Sequence, residues 1–389
     1  MISLLSRIFI KNHKDYGDYG VRRAYGTLCS LWGIVLNAFL FAGKFFAGLL
    51  TGSIAITADS FNNLGDAGSS IITLLGFRLS AQKPDPDHPF GHGRFEYLSG
   101  LFVSIAILLM GFELAKSSLD KIIHPVQVEF NIIAVIILIV SIIVKAYMSF
   151  YNKAIGKKID SAAMRATGAD SLADTIATFV VLCVTVISRH IPFSIDGYAG
   201  MLVAAFILWT GINSVRETIS PLLGQPPDEE FVKQVSEIVL SHDVVTSIHD
   251  LVVHDYGPGR LMITLHAEIP SDIDIMLAHD IIDNIEIEVA RKLGCHCTIH
   301  MDPVNVDDEY TNSLRMMAAR LAAQIDDSIT IHDFRCVCGP THTNLIFDAV
   351  IPFDCKIADD EFKSRISELI KENDPQFNCV ITIDKSFVK

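Results

Sequence analysis

The chain has 389 residues, which suggests two or three domains rather than one small core. Half of the residues are hydrophobic and 20% are charged, against about 25% charged in soluble domains, so the composition argues against a wholly soluble protein. The net charge of -14 excludes a generally basic nucleic-acid binder, and eight cysteines in so long a chain do not indicate a disulfide scaffold.

The N-terminal residues 1–25 are predicted to be a cytoplasmic segment. The segment opens with MISLLSRIFIKNHK, a basic and amphipathic stretch of the kind that lies on a membrane surface. The stretch lacks the pattern of a cleavable signal peptide, so no such peptide is expected.

Residues 26–223 are predicted to form a domain of six transmembrane helices. Long apolar stretches alternate there with short polar loops, and a bilayer-spanning helix needs roughly 20 mostly apolar residues. Lysine and arginine are concentrated before the first span and after the second and fourth spans, which places both termini in the cytoplasm of a bacterial-type plasma membrane. The predicted spans are 26–50, 54–79, 95–119, 132–151, 162–187 and 198–219.

The second and fifth predicted spans contain polar side chains that are unusual at membrane depth. Spacings of three and four residues place those of each span on one helical face. A carboxylate at mid-membrane is costly unless it is paired, protonated or bound to a cation. Because no Lys or Arg partner is evident nearby, a cation-binding role is predicted, and the alternative is a solvated helix end, as at a helix cap. The residues are Asp59, Asn62, Asn63 and Asp66 in the second span, and Asp170 and Asp174 in the fifth.

Two helices that each offer two oxygen ligands one turn apart build a four-ligand site for a divalent cation. Carboxylate and amide oxygens suit hard ions such as Mn²⁺. None of the 14 histidines lies in a predicted span, whereas a zinc site more often includes imidazole or thiolate. Asp59 has an alternative role as a helix cap or as a residue behind the ligands.

Several motifs together resemble the cation diffusion facilitator family of metal exporters. The resemblance covers roughly residues 25–303 and rests on TADSFNNLGD, DPDHPFGHGRFE, ATGADSLAD, HDL, GP, LHAEI and HMDP. It implies that a homodimer exports divalent metals from the cytoplasm, usually in exchange for protons. The transport site that it implies is Asn62, Asp66, Asp170 and Asp174, with an alternative register that uses Asp59 and Asn63 instead.

The resemblance also bears on the metal and on the loop after the second span. The zinc-transporting branch typically has histidine where this chain has Asp170, so the ligand set resembles the manganese branch, with Zn²⁺, Fe²⁺ and Co²⁺ as alternative substrates. The family's second metal site implies Asp85, His88 and His92 as loop ligands, and the alternative is that these residues only shape the loop. Glu96, just beyond, is expected at a solvated helix end, and the alternative is a charge along the entry path of the metal.

Residues 224–305 show a pattern of helix, strand, strand, helix and strand. They resemble the small ferredoxin-like cytoplasmic domain through which the family dimerises and often binds metal. The alternative for its histidines is a surface position without a ligand role. The implied metal ligands are His249, His266, His279, His300 and Asp302.

Residues 306–389 repeat the preceding domain at an offset of about 82 residues, which predicts a tandem duplicate. His332 and Asp384 keep their positions, Asp348 stands opposite His266, and Thr382 replaces His300. The duplicate is therefore either a second metal module with more oxygen ligands or, as we favour from the sequence, a packing module that extends the dimer.

The predicted fold class is membrane α-helical with two cytoplasmic α+β ferredoxin-like domains. The predicted function is a Mn²⁺/H⁺ antiporter that works by alternating access, and not an enzyme, since no phosphate loop or nucleophile–base pair is found. No cofactor is expected besides the transported or regulatory metal. The expected partners are a second copy of the chain, the lipid bilayer, divalent cations and protons, without nucleic acid. A membrane-tethered metal sensor without transport is the alternative from another class.

Overall fold

The computed structural model describes residues 2–51, 54–124, 132–187, 196–305, 308–353 and 355–385. The chain divides into two compact units. The membrane unit consists of residues 1–225 together with 255–259, and the C-terminal unit consists of residues 226–254 together with 260–389. The predicted end of the transmembrane domain, residue 223, coincides with the end of the last helix of the membrane unit.

The described part of the membrane unit is built from helices. They are α1 (Ile2–Phe9), α2 (Tyr19–Thr51), α3 (Ile54–Ser80), α4 (Phe95–Ile123), α5 (Ile132–Lys158), α6 (Ala162–Ile187) and α7 (Asp196–Leu223). Helices α2 to α7 correspond to the six predicted spans. The largest differences are that α2 begins at Tyr19 rather than at residue 26, and that α5 continues to Lys158 rather than ending at 151.

Five of these helices, α2, α4, α5, α6 and α7, are long and apolar enough in their described residues to cross a membrane. The remaining predicted span, α3, is 27 residues long but is not apolar enough by the same measure. Its polar residues Asn62, Asn63 and Asp66 lower its mean hydropathy. A helix of spanning length with a polar face is expected where that face contacts other polar groups rather than lipid.

Helix α1 packs on the membrane unit through part of its apolar surface. Ile2 and Ile10 are buried in one cluster with Tyr25 and Met148, which belong to α2 and α5. The backbone N–H of Ile2 donates to Tyr147 Oη at 3.2 Å. Leu5 packs against the same cluster. The apolar side chains of Leu4, Ile8 and Phe9 are exposed, which leaves a surface of the kind that the amphipathic sequence predicts for a membrane interface.

Small residues let α6 approach its neighbours closely. Ala166 and Ala173 are buried against apolar side chains of α4 and α7. On the side facing α5, a Cβ added at Gly168 would lie 3.0 Å from the backbone nitrogen of Lys153, so glycine permits a backbone approach that a larger residue would block. The Gly168 carbonyl accepts a hydrogen bond from Ser149 Oγ at 2.8 Å. This contact holds α6 against α5.

The C-terminal unit repeats one order of elements, helix, strand, strand, helix and strand. The first subdomain contains α8 (Glu229–Leu240), β1 (Ser247–Asp255), β2 (Leu261–Pro270), α9 (Ile275–Leu293) and β3 (His296–Val304). The second subdomain contains α10 (Glu309–Ile325), β4 (Thr330–Cys338), β5 (Thr343–Val350), α11 (Asp359–Asn373) and β6 (Phe377–Asp384). Each has a three-stranded sheet, ordered β1-β2-β3 or β4-β5-β6, whose middle and last strands run parallel.

Each subdomain has its own apolar core on one face of its sheet. Leu265 of β2 and Phe347 of β5 are at most 1% exposed and lie in these cores. Because successive strand residues point to opposite faces, His266 and Asp348, the next residues along, face away from the core. The histidines and aspartates of interest therefore lie on the sheet faces that the core helices leave uncovered.

Candidate metal centres

Three aspartates of the membrane unit converge from two helices. Asp66 of α3 and Asp170 and Asp174 of α6 place one carboxylate oxygen each within 4.8 Å of one another. Asp170 is 6% exposed, and the side chains of Asp66 and Asp174 are each 15% exposed. Three carboxylates this close repel one another unless a cation lies among them or protons neutralise them.

Lys145 of α5 places a cation at this cluster. Its Nζ donates hydrogen bonds to Asp66 Oδ2 at 2.5 Å and to Asp174 Oδ2 at 2.7 Å, and its side chain is 4% exposed. The expectation that no Lys or Arg accompanies the polar residues is therefore wrong. Periodicity along one helix does not reveal a neighbour on another helix. A sequence signal was available, because a lysine inside the span 132–151 needs an acidic partner at membrane depth.

The amide residues of α3 divide between the surface and the interior. Asn62, which belongs to the predicted transport site, is exposed. Asn63, from the alternative register, is 2% exposed, and its Nδ2 has no hydrogen-bond partner among the described residues. The side chain of Asp59 lies outside the part of the chain that the structure describes. The buried polar face of α3 thus combines Asp66 from one register with Asn63 from the other, three residues apart.

The loop between α3 and α4 brings Asp85, His88 and His92 together. Asp85 Oδ1 lies 3.3 Å from His88 Nδ1, and Asp85 Oδ2 lies 3.3 Å from His92 Nε2. His92 is 7% exposed, and its Nδ1 has no hydrogen-bond partner in the described chain. The backbone N–H of His88 donates to Asp85 at 2.7 Å and holds the pKa of this carboxyl below its ordinary value. This favours the deprotonated form that binds metals.

In the first subdomain, Asp302 lies among three imidazoles. Its Oδ2 is 2.8 Å from His266 Nδ1 and 3.2 Å from His249 Nε2, and its Oδ1 is 3.3 Å from His300 Nε2. The parallel pairing of β2 with β3 places His266 directly beside His300. His279 is exposed on α9 and belongs to none of the ligand clusters found among the described residues. Its helix, α9, packs on the apolar face of the sheet, opposite to the face of His266.

A buried ion pair joins Arg22 of α2 to Glu96 of α4. Its two hydrogen bonds measure 2.5 and 2.8 Å, and Ser161 Oγ donates to Glu96 at 2.6 Å. Glu96 is 0% exposed and Arg22 is 7% exposed. The expectation that Glu96 lies at a solvated helix end is therefore wrong. The cause is again a partner from a distant helix, since Arg22 lies 74 residues away in the sequence.

Two family models match the chain. The model described as the cation efflux transmembrane domain matches residues 30–223. The model described as the cation efflux protein cytoplasmic domain matches residues 227–304. The matches extend from α2 to the end of the first subdomain, so they include each of the three ligand clusters described above.

Curated relatives match over nearly their whole length. The uncharacterized transporter MJ0449 of Methanocaldococcus jannaschii is 31% identical over 274 residues, which are 70% of this chain and 95% of that protein. The chain belongs to the cation diffusion facilitator family. Two proteins named cation-efflux pump FieF, from Escherichia fergusonii and from Escherichia coli K12 / DH10B, are 27% and 28% identical over 290 residues, or 74% of this chain and 96% of each relative.

As a cation diffusion facilitator, the chain is a multi-pass membrane protein that transports metal cations outward. The predictions of a metal exporter of this family, and of a transporter rather than an enzyme, are confirmed. The two family matches end at residue 304. The second subdomain of this cation diffusion facilitator therefore lies outside both of them.

Proposed function

We propose that this family member exports Mn²⁺ from the cytoplasm in exchange for protons, through the cluster of Asp66, Asp170 and Asp174. The supporting observation is the type of ligand. Three carboxylates converge on helices of spanning length, and no imidazole belongs to their cluster in the described chain. Oxygen ligands suit Mn²⁺ better than they suit softer cations. An amide oxygen of Asn63 or Asn62 would complete a set of four oxygens.

Lys145 sets the charge of this site. The three carboxylates carry -3 and the ammonium carries +1, which leaves a net charge of -2. One divalent cation neutralises this charge, and two protons neutralise it equally. A neutral site costs least to carry through a low-dielectric membrane interior. Metal and protons are therefore alternative occupants, which is the physical basis of the proposed exchange.

Lys145 also competes with the metal. Its ammonium binds oxygens of Asp66 and Asp174, so a cation that binds those same atoms has to displace it. Protonation of the aspartates later weakens them as ligands and releases the metal. A transport site must bind strongly enough to load and weakly enough to unload. Lys145 helps with unloading because it competes for the same oxygens from within the protein, while the carboxylates provide the strong binding needed for loading. Alternating access of the helices then exposes the site to each side of the membrane in turn.

The assembly follows from the family resemblance and from the chain itself. We propose a homodimer in a bacterial-type plasma membrane, with both termini in the cytoplasm. The orientation is supported by the distribution of lysine and arginine and by the description of the matched C-terminal domain as cytoplasmic. We further propose that residues 306–389 are a duplicated ferredoxin-like domain. The identical order of elements and strands in the two subdomains supports this.

Metal uptake into inside-out vesicles tests the transport proposal. Mn²⁺ and Zn²⁺ are compared for the native chain, for Asp170→Ala and for the control Asp120→Ala, whose aspartate is 75% exposed on α4. Mn²⁺ uptake at subsaturating metal is expected to fall at least about 100-fold in Asp170→Ala, since even residues behind the ligands contribute about 10–100-fold to metal affinity. Uptake by Asp120→Ala is expected to match the native chain.

Three outcomes would overturn parts of this proposal. Zn²⁺ uptake by the native chain at an equal or greater rate would refute the choice of Mn²⁺, and Asp170→His is expected to move the preference toward Zn²⁺. A rate of metal uptake that does not change when a pH gradient is imposed would refute proton exchange. Absence of uptake in a protein that still binds the metals would favour the sensor without transport.

A further inference from the structure

A cleft of about 1200 Å³ lies within the C-terminal unit, between its two subdomains. The equivalent strands β1 and β4 line it with residues at equivalent positions of the repeat. These are His249 and Asp250 in β1, and His332 and Asp333 in β4. The duplicated sequence therefore presents a second set of metal-ligand side chains to the same space.

The two histidines stack on each other across the cleft, with ring centroids 4.4 Å apart at 30°. The aspartate after each has a positive φ, +51° for Asp250 and +53° for Asp333, a region that aspartate tolerates better than most residues. Asp250 Oδ1 lies 3.8 Å from His332 Nε2, and Asp333 Oδ1 lies 4.0 Å from His249 Nε2. Each subdomain thus directs one carboxylate to the histidine of the other.

Both imidazoles are buried without hydrogen bonds. The side chains of His249 and His332 are 7% and 9% exposed, and none of their four ring nitrogens has a hydrogen-bond partner among the described residues. Buried polar atoms in native proteins are rarely left unpaired, because the loss of hydration is costly. Each neutral ring has one nitrogen with a lone pair, and a cation with carboxylates beside it satisfies that nitrogen in each ring.

His332 has a cluster of its own in the second subdomain, with Asp348 and Asp384. Strand pairing fixes this cluster, because His332 lies directly opposite Asp348 in the β4–β5 ladder. His332 Nε2 lies 3.4 Å from Asp384 Oδ2. Carboxylates are therefore crowded around a single imidazole.

We propose that the C-terminal unit holds a second divalent-cation site, formed by His332, Asp348 and Asp384 and completed by Asp250 from the first subdomain. This site adjoins the imidazole-rich set around Asp302, to which the stacked His249 belongs. One imidazole and three carboxylates form an oxygen-rich ligand set that suits Mn²⁺, whereas the set around Asp302 suits Zn²⁺ better.

Three basic residues also lie in the cleft, and positive charge opposes a bound cation wherever it faces the site. They are Arg315, Arg335 and Lys385, but Lys385 is engaged by Asp359 at 2.7 Å. Since the site takes ligands from both subdomains, a bound cation fastens them to each other. Residues 306–389 thereby gain a metal-binding role, in place of the packing role favoured from the sequence. The proposal does not rest on the proposed transport of Mn²⁺.

Counting bound Mn²⁺ on the full-length protein in detergent, by equilibrium dialysis and elemental analysis, tests the site. The double variant Asp348→Asn/Asp384→Asn is compared with Asp360→Asn, a control at an exposed aspartate of α11. The double variant is expected to bind one Mn²⁺ fewer per chain than the native protein and the control. Asp250→Asn is expected to raise the dissociation constant of the same site at least about tenfold, because it removes a ligand from the other subdomain.

Equal Mn²⁺ counts in the native and double-variant proteins would overturn the site. A loss in the double variant without any effect of Asp250→Asn would overturn its shared character. Most nitrogen and oxygen sites bind Zn²⁺ more tightly than Mn²⁺, so the oxygen-rich assignment would be overturned by a preference for Zn²⁺ as strong as that of the set around Asp302. A measurement on the unmodified protein avoids variants that fail to fold. Fully Mn²⁺-loaded protein is expected to show magnetic coupling between neighbouring ions by electron paramagnetic resonance, and isolated ions alone would contradict the proposal. Asp170→Ala is expected to retain the site, so the two proposals fail separately.

Discussion

Lys145→Met is expected to tighten Mn²⁺ binding at the membrane aspartates and to destabilise the metal-free protein. Methionine matches the length of lysine but removes the ammonium that Asp66 and Asp174 share. Removing one partner of a buried ion pair costs about 3–5 kcal/mol of unfolding free energy. In the variant, Mn²⁺ no longer has to displace the ammonium. Each reduction of about 1.4 kcal/mol in the free-energy cost of binding raises the Mn²⁺ affinity about tenfold. Thermal unfolding in detergent, with and without Mn²⁺, measures both effects.

The matched control is Lys157→Met, which removes an exposed lysine from the same helix. It is expected to leave stability and Mn²⁺ affinity unchanged. In Lys145→Met, added Mn²⁺ is expected to recover most of the lost stability, since the metal replaces the missing positive charge. Weaker Mn²⁺ binding in Lys145→Met than in the native chain would contradict the competitor role, and would instead make the ammonium part of the binding geometry.

The sequence was sufficient to locate the helices and most of the candidate ligand residues that the structure brings together. Apolar stretches of spanning length follow from the thickness of the bilayer, so the six predicted spans correspond to α2–α7. The spacing of four between Asp170 and Asp174 places both on one face of any helix, whatever its surroundings. The family resemblance implied His266, His300 and Asp302 as ligands, and the structure brings these three residues together in the first subdomain.

What the sequence could not supply is the identity of neighbours from other elements. Asp66 and Lys145 are 79 residues apart in the sequence, and no periodicity within α3 or α5 encodes their contact. Asp250 and Asp333 each contact the histidine of the other subdomain, and these contacts depend on how two separate sheets face each other. Asn62 is exposed and Asn63 is buried. Which of the two is buried depends on which side of α3 contacts its neighbours, and the spacing alone leaves this open.

Glu96→Gln is expected to lower the free energy of unfolding by about 3–5 kcal/mol, as large an effect as that of Lys145→Met. Glutamine keeps the shape of the side chain but leaves the Arg22 guanidinium, which is 7% exposed and charged at every physiological pH, without a counter-charge. The control is Glu217→Gln. Glu217 pairs with Arg165 at 3.5 Å while its own side chain is 57% exposed, so its loss should cost only about 0–1 kcal/mol. Equal destabilisation by the two substitutions would refute the argument.

The double variant Arg22→Gln/Glu96→Gln removes both charges, and we expect it to be more stable than Glu96→Gln alone because no charge is left buried and unpaired. Arg22 also donates to the carbonyls of Ile159 and Asp160 at 2.5 and 2.8 Å. These carbonyls and Ser161, the remaining partner of Glu96, immediately precede α6. The ion pair therefore fixes the start of the helix whose later turns contain Asp170 and Asp174. If this start is displaced, the two carboxylates shift relative to Asp66, so Glu96→Gln is also expected to weaken Mn²⁺ binding without touching a ligand.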